Sequence, residues 1–264
     1  MAITKISAAM TDLDGAVTIN ESSADVDFRV ESDGNANMLF VDGGNNRVGI
    51  GGTPSNNTFE IITTDQTDMS LRAANNQYCQ IKFGDPEDDN IGSIGYNNSN
   101  NSMIFTTNTA TAMTLDSSGQ VTMPLQPAFL VKLDGDQNNI AVDGASNTTV
   151  EFDSEIFDVG SNFASNQFTA PVTGKYLLTY MLRVHALDDA STSFSVIMET
   201  SNRTAANYFD PAGYDSDPDY HTFTYSMVHD MDASDTAKVT VYQAGGSAQA
   251  DVSQYSYFSG QLIS

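Results

Sequence analysis

The stretch Tyr208-Phe209-Asp210-Pro211-Ala212-Gly213-Tyr214-Asp215-Ser216-Asp217-Pro218-Asp219-Tyr220 carries four aromatic rings (Tyr208, Phe209, Tyr214, Tyr220) interleaved with four carboxylates (Asp210, Asp215, Asp217, Asp219). Aromatic faces stack on the C–H patches of sugar rings, and carboxylates accept hydrogen bonds from hydroxyls. These eight residues are therefore a candidate binding set, with a glycan as the ligand. The alternative is a loop whose aromatics pack back onto the fold or onto the next protomer. Long ordered loops often carry function, which keeps the first reading in play.

Other chemistry is thinner. Asp134-x-Asp136-x-Asn138 and Asp215-x-Asp217-x-Asp219 begin like calcium loops, but neither has the glycine and terminal glutamate that complete an EF-hand. Solvated turn aspartates are the preferred reading, with structural calcium as the alternative; no other cofactor and no dedicated metal ligand is expected. His185 falls in a strongly apolar run and reads as a buried or interface histidine, while His221 and His229 straddle an expected strand. Gly49-Ile50-Gly51-Gly52 lacks the spacing of a dinucleotide loop. No residue is assigned a catalytic role. A polysaccharide depolymerase would need two carboxylates across a groove, which sequence spacing does not display.

Composition narrows the field. Among 264 residues, 34 are acidic and 10 basic, for a formal charge of −24. So few cations cannot neutralise phosphate, which excludes nucleic acid and argues against anionic membrane. No run approaches the ~20 apolar residues of a membrane-spanning helix. The acids are 27 Asp against 7 Glu, a bias towards turns and caps and away from helices. Cys79 is the single cysteine, which rules out an intrachain disulfide; beside Ile81 and Phe83 it reads as a small buried apolar residue. Met1–Ser7 lacks the apolar stretch of a secretory signal.

The elements that position these residues are strands. Residues 1–126 hold 7 aromatics and 15 Asn; residues 127–264 hold 18 aromatics and 7 Asn. Big rings build a deep core, whereas Asn-rich chain suits thin, turn-rich structure, so the boundary is set near residue 125. In the first part, short apolar alternations recur between turn signals: Val26–Val30, Met38–Val41, Val48–Ile50, Phe59–Ile62, Ile81–Phe83, Met103–Phe105, Met113–Leu115 and Val121–Met123. Val41-Asp42 then Val48-x-Ile50 is echoed by Leu115-Asp116 then Val121-x-Met123, and more briefly by Leu13-Asp14-Gly15-Ala16-Val17-x-Ile19. Each unit is strand, turn, strand; such a hairpin must stack on neighbours or other chains to cover its apolar face. The expected division is an anchor segment over 1–20, a β-repeat stem over 21–124 and an all-β sandwich over 127–264, with an ordinary antiparallel sheet as the alternative for the stem.

In the second part, Lys175–His185 is apolar on both faces, with Tyr176, Leu178, Tyr180, Leu182 and Val184 on one and Leu177 and Met181 on the other. Such a strand sits centrally in a sandwich or at a subunit contact. Gly174, after Pro171-Val172-Thr173, is expected to make a tight turn before it. Phe152, Asp158, Phe163, Phe168, Gly174, Tyr176 and Tyr180 together resemble the signature of the C1q/TNF-like domain, and Tyr257-Phe258-Ser259-Gly260-Gln261-Leu262-Ile263 is similar to that family's last strand. Two departures are present: the Phe163–Phe168 gap is two residues shorter than the usual pattern, and Leu178 replaces a phenylalanine. The resemblance implies a ten-stranded jelly roll assembled as a homotrimer, with Leu177, Met181 and Tyr257 at the trimer interface.

Asn46-Arg47-Val48-Gly49-Ile50-Gly51-Gly52-Thr53-Pro54-Ser55 resembles segments of bacteriophage fibre and appendage proteins. The expectation is a non-enzymatic virion protein made in the host cytoplasm. It would be a trimeric tail or head fibre, held to other virion proteins by its N-terminal segment and displaying a jelly-roll tip to host glycans. A capsid decoration protein is the alternative.

Overall fold

A computed structural model describes residues 25, 27–140, 146–247 and 250–264. The proposed anchor over 1–20 and the Leu13–Ile19 copy of the repeat lie outside them. Among the described residues every regular element is a strand apart from one 3-10 turn at Pro211–Gly213, and the chain divides into two compact units, Met1–Arg72 and Ala73–Ser264. The compositional boundary near 125 falls later, inside the second unit.

The first unit is a four-stranded sheet of β1 (Phe28–Ser32), β2 (Asn35–Asp42), β3 (Arg47–Ile50) and β4 (Phe59–Ile61), in that order. Asp42 makes the β2–β3 turn by accepting from the backbone and side-chain nitrogens of Asn45, both at 2.9 Å, while Asn46 takes a φ of 56°. Those two bonds hold the Asp42 carboxyl below the usual carboxylate range. β3 and β4 pair in parallel, so the glycine-rich segment is the connection between them. A Cβ at Gly49 would meet the Gly52 carbonyl at 2.3 Å, and the Glu60 carboxylate accepts the amides of Ser55, Asn56 and Asn57 at 3.1, 2.8 and 2.7 Å. The register aligns Phe28, Val41, Val48 and Phe59 in one row and Val30, Leu39, Ile50 and Ile61 in the next.

The second unit begins with a five-stranded antiparallel meander: β5 (Tyr78–Phe83), β6 (Gly92–Asn97), β7 (Ser102–Thr107), β8 (Ala110–Leu115) and β9 (Val121–Thr122). The β8–β9 turn is closed by Asp116, which accepts from Ser118 and Gln120, with Gly119 at a φ of 80°. One face aligns Ile81, Ile94, Phe105 and Met113, with Cys79, Tyr96, Met103, Leu115 and Val121 in the row beside it. Cys79 is half-buried, not buried, because Ile81 and Phe83 beside it are themselves exposed.

The rest is a sandwich of thirteen strands among the described residues: β10 (Ala128–Lys132), β11 (Gln137–Ile140), β12 (Thr148–Thr149), β13 (Ser154–Asp158), β14 (Phe163–Ala164), β15 (Gln167–Thr169), β16 (Gly174–His185), β17 (Ser191–Thr200), β18 (Thr204–Phe209), β19 (Tyr220–Met231), β20 (Thr236–Gly245), β21 (Ala250–Val252) and β22 (Tyr257–Leu262). The seven-stranded sheet runs β11-β21-β16-β22-β10-β13 with β19 on the other side of β16; the six-stranded sheet runs β14-β15-β20-β17-β18 with β12 also on β20. The count exceeds ten because β12 and β14 are two-residue strands and others are short pieces. β16 is central, as its two apolar faces require, and it alternates buried Tyr176, Leu178, Tyr180, Leu182 and Val184 with less buried neighbours.

One end of the core is a cluster of rings. Phe129 stacks on Phe163 and Phe168 with centroids 5.3 and 4.7 Å away and meets Phe258 edge-on at 4.9 Å; Phe168 reaches Tyr176 at 5.4 Å. Phe163 and Phe168 face each other across a two-residue hairpin in which Ser165 and Asn166 both have positive φ, 50° and 62°. That mirror-image turn matches the strand twist and accounts for the short spacing. Gly174 does not make a turn. It opens β16 where a Cβ would strike Leu262 and the Ser264 carbonyl, both at 2.6 Å, so it allows the chain end to pack closely.

Candidate functional site

The Tyr208–Tyr220 stretch is less of a loop than its sequence implies. Tyr208 and Phe209 end β18, Tyr220 opens β19, and the 3-10 turn sits between them. Asp210 caps that turn by accepting from the Ala212 amide at 3.0 Å, and the Tyr214 amide donates back to Pro211. Phe209 packs inward on His221, with ring centroids 4.1 Å apart, and against Phe223 at 6.2 Å; Tyr214 leans on Phe209 at 5.7 Å. Phe209 and Asp210 thus hold the local structure. Tyr208 at 74%, Tyr220 at 62% and Tyr214 at 51% are exposed, together with Asp215, Asp217 and Asp219.

Tyr220 also has a neighbour that spacing along the chain does not reveal. The Arg183 guanidinium lies 4.2 Å from its ring centroid, in cation–π range, and Tyr255 approaches the same cation at 5.9 Å. His185, two residues along β16, sits between Asp136 and Asp251, each with a carboxylate oxygen 3.8 Å from a ring nitrogen. Asp136 accepts the Gln254 amide at 2.7 Å, which ties the Asp134–Asn138 segment to the sandwich.

Asp217 joins a different group. Its carboxylate accepts the Asp189 amide at 2.9 Å, and Asp188, Asp189 and Asp217 bring one oxygen each within 4.8 Å of one another. Asp188 is buried, accepting from the amides of Ala190 and Ser247 at 2.9 and 2.6 Å. Burial first, and then the Asp217 and Asp188 charges, push the Asp189 carboxyl up. Hard carboxylate oxygens are the donor type that suits calcium. The sequence pointed to Asp215 and Asp219 as partners of Asp217, but the partners come from the turn between β16 and β17, far away in the chain.

His221 and His229 do not straddle a strand; both lie within β19 and face the sandwich interior. Burial pushes each below the ordinary histidine range. Nε2 of His229 meets the Tyr225 hydroxyl at 2.7 Å, and Asn207 ties this edge together by donating to the Tyr180 hydroxyl and the Thr224 carbonyl.

Leu177, Met181 and Tyr257 come together on the outward face of the seven-stranded sheet, where Met181 and Tyr257 are direct partners. A shallow hollow of about 310 Å³ lies on this face, lined by Leu130, Phe157, Leu177 and Thr179 among others. Exposed Phe157 and Val228 belong to the same face and were not singled out from the sequence, since each sits in a strand that alternates weakly.

Within this frame, the model of one family, the C1q domain, matches residues 128–263. The chain belongs to the C1q domain family. The seven signature positions of the C1q domain now have physical reasons. The phenylalanines and Tyr176 form the ring cluster, and the Tyr176 and Tyr180 hydroxyls donate to the Val172 and Val196 carbonyls at 2.7 and 3.1 Å. Asp158 accepts the Phe163 amide, and Leu178 fits the core in place of a ring at full burial. Among solved structures, the globular domain of zebrafish complement 1qA protein is 16% identical, covering 53% of this chain and 98% of its own, with a TM-score of 0.38. Murine APRIL at pH 8.0 is 13% identical, with 52% and 99% covered and the same TM-score. No curated protein sequence matches the chain. The family whose model matches is not one of enzymes.

Proposed function

We propose that this protein is a non-enzymatic structural component of a bacteriophage virion, a homotrimeric fibre whose C1q domain is a tip that binds host-surface glycan. The observation that carries the binding role is the exposure of Tyr208, Tyr214 and Tyr220 and of Asp215, Asp217 and Asp219 along one segment of a C1q domain. Exposed phenols cost solvation and are well matched to stacking on sugar C–H faces, with the carboxylates taking the hydroxyls. Trimer formation is supported by the outward apolar face that gathers Leu177, Met181 and Tyr257, and three weak sites on one trimer gain affinity through avidity. The virion setting is supported by the Asn46–Ser55 segment and its resemblance to phage fibre proteins.

The experiment is cell adsorption by the double variant Tyr208→Ala, Tyr214→Ala. Neither ring is buried, so the fold and the assembly mass stay as they are while adsorption falls by at least tenfold. Adsorption at the unaltered level rejects the glycan-binding role of this surface.

A further inference from the structure

Outside the C1q domain, two sheets present a face that water should not see. In β1–β4, directly paired residues and residues two apart share a face, so the two rows of four make an unbroken grid of Val, Leu, Ile and Phe. In β5–β9, the row Ile81, Ile94, Phe105, Met113 and the row that Cys79 begins make a second apolar grid. No member of either grid is buried; Phe59 is 55% and Val121 54% exposed. The opposite face of the second sheet is the more buried one, with Ser93, Asn97 and Ser102 largely out of solvent. That is the inverse of a sheet adapted to face water alone, and thin sheets of this kind need their apolar face covered.

The composition of the grids says what covers them. Surfaces built for a foreign partner are mixed, with hydrogen bonds and a polar component, whereas permanent contacts between copies resemble a core cut in half. These grids carry no charge and almost no donor or acceptor. At about 4.8 Å between strands and about 6.8 Å between rows, each grid spans about 300 Å² in projection per copy, a contiguous apolar patch of the size that marks an interaction site. A chain of charge −24 also meets its own copies most cheaply through uncharged ground, leaving the acids of every copy in solvent.

We propose that the apolar faces of β1–β4 and of β5–β9 are two self-association surfaces, each separate from the C1q domain and each closed by the same face of other copies of this chain. Cys79, the only thiol, lies on the second grid and reports its cover.

The test uses the full chain, measuring mass by sedimentation and the maleimide labelling rate of Cys79. The expected result is an oligomer in which Cys79 labels at least tenfold more slowly than in the denatured chain. Ile94→Asp raises that rate at least fivefold. Ile94→Thr, which keeps a β-branched side chain, does so to a lesser degree if the Asp variant does not fold. Met181→Asp, on the C1q domain's outward face, leaves Cys79 slow. Rapid Cys79 labelling in the unaltered oligomer overturns the proposal while leaving the C1q trimer standing. Rapid labelling caused by Met181→Asp overturns the separateness from the C1q domain. A pure chain that is monomeric with a fast thiol overturns both the proposal and the trimer.

Discussion

The Tyr225 hydroxyl lies 2.7 Å from Nε2 of His229, and Nδ1 of the same ring is buried without a hydrogen-bond partner. A protonated His229 would place a charge beside that unmatched nitrogen. Burial is the main reason its pKa lies below the ordinary value; the Arg203 cation adds to the effect and Asp230 opposes it. The unfolded chain therefore binds a proton that the fold refuses. This stabilising contribution is complete above about pH 6.5, the unfolded histidine value, and is lost as the pH falls below it. His221 is shifted in the same direction by burial and adds to the slope. The thermal midpoint is expected to fall between pH 7 and pH 5, and His229→Leu to flatten that fall. An unaltered slope in the variant contradicts the assignment.

Gly260 on β22 lies under the ring cluster: a Cβ there would come 2.5 Å from Phe129 and 2.8 Å from Leu178. Both neighbours are fully buried, so neither can move aside cheaply. Gly260→Val is expected to destabilise the C1q domain by about 1–3 kcal/mol through overpacking. Phe129→Ala removes the ring that three others pack on and should cost about 3–5 kcal/mol. Denaturant midpoints at constant m-value measure both.

Asp217→Asn keeps an oxygen to accept the Asp189 amide and removes one of the charges that push the Asp189 carboxyl up. With no added divalent cation at neutral pH, the variant is expected to melt slightly higher than the unaltered chain. A lower midpoint would show that the carboxylate trio is held by more than its own hydrogen bonds.

Much of this architecture is legible in the sequence because it depends on local alternation and turn chemistry. The hairpins at Asp42 and Asp116 follow from Asp, Gly and Asn in places where a carboxylate can cap amides and a residue can take positive φ. The C1q domain is legible because its rings must meet in one cluster, which fixes their order along the chain. β6 was missed, since Gly92, Gly95 and Asn97 weaken its alternation and its pairing on both sides supplies what propensity does not. The partners of the candidate site were hidden for another reason. Arg183 reaches Tyr220, and Asp188 and Asp189 reach Asp217, only through strand register and turn placement, which no local pattern encodes. For Phe209, of the two readings open to the loop's rings, strand parity selects packing back onto the fold.

The proposed virion fibre with the C1q domain at its tip is tested by imaging phage virions that carry this chain with gold-labelled antibody against residues 127–264. Gold is expected at the distal ends of projecting fibres. Gold spread over the capsid shell, or virions without label, would contradict it.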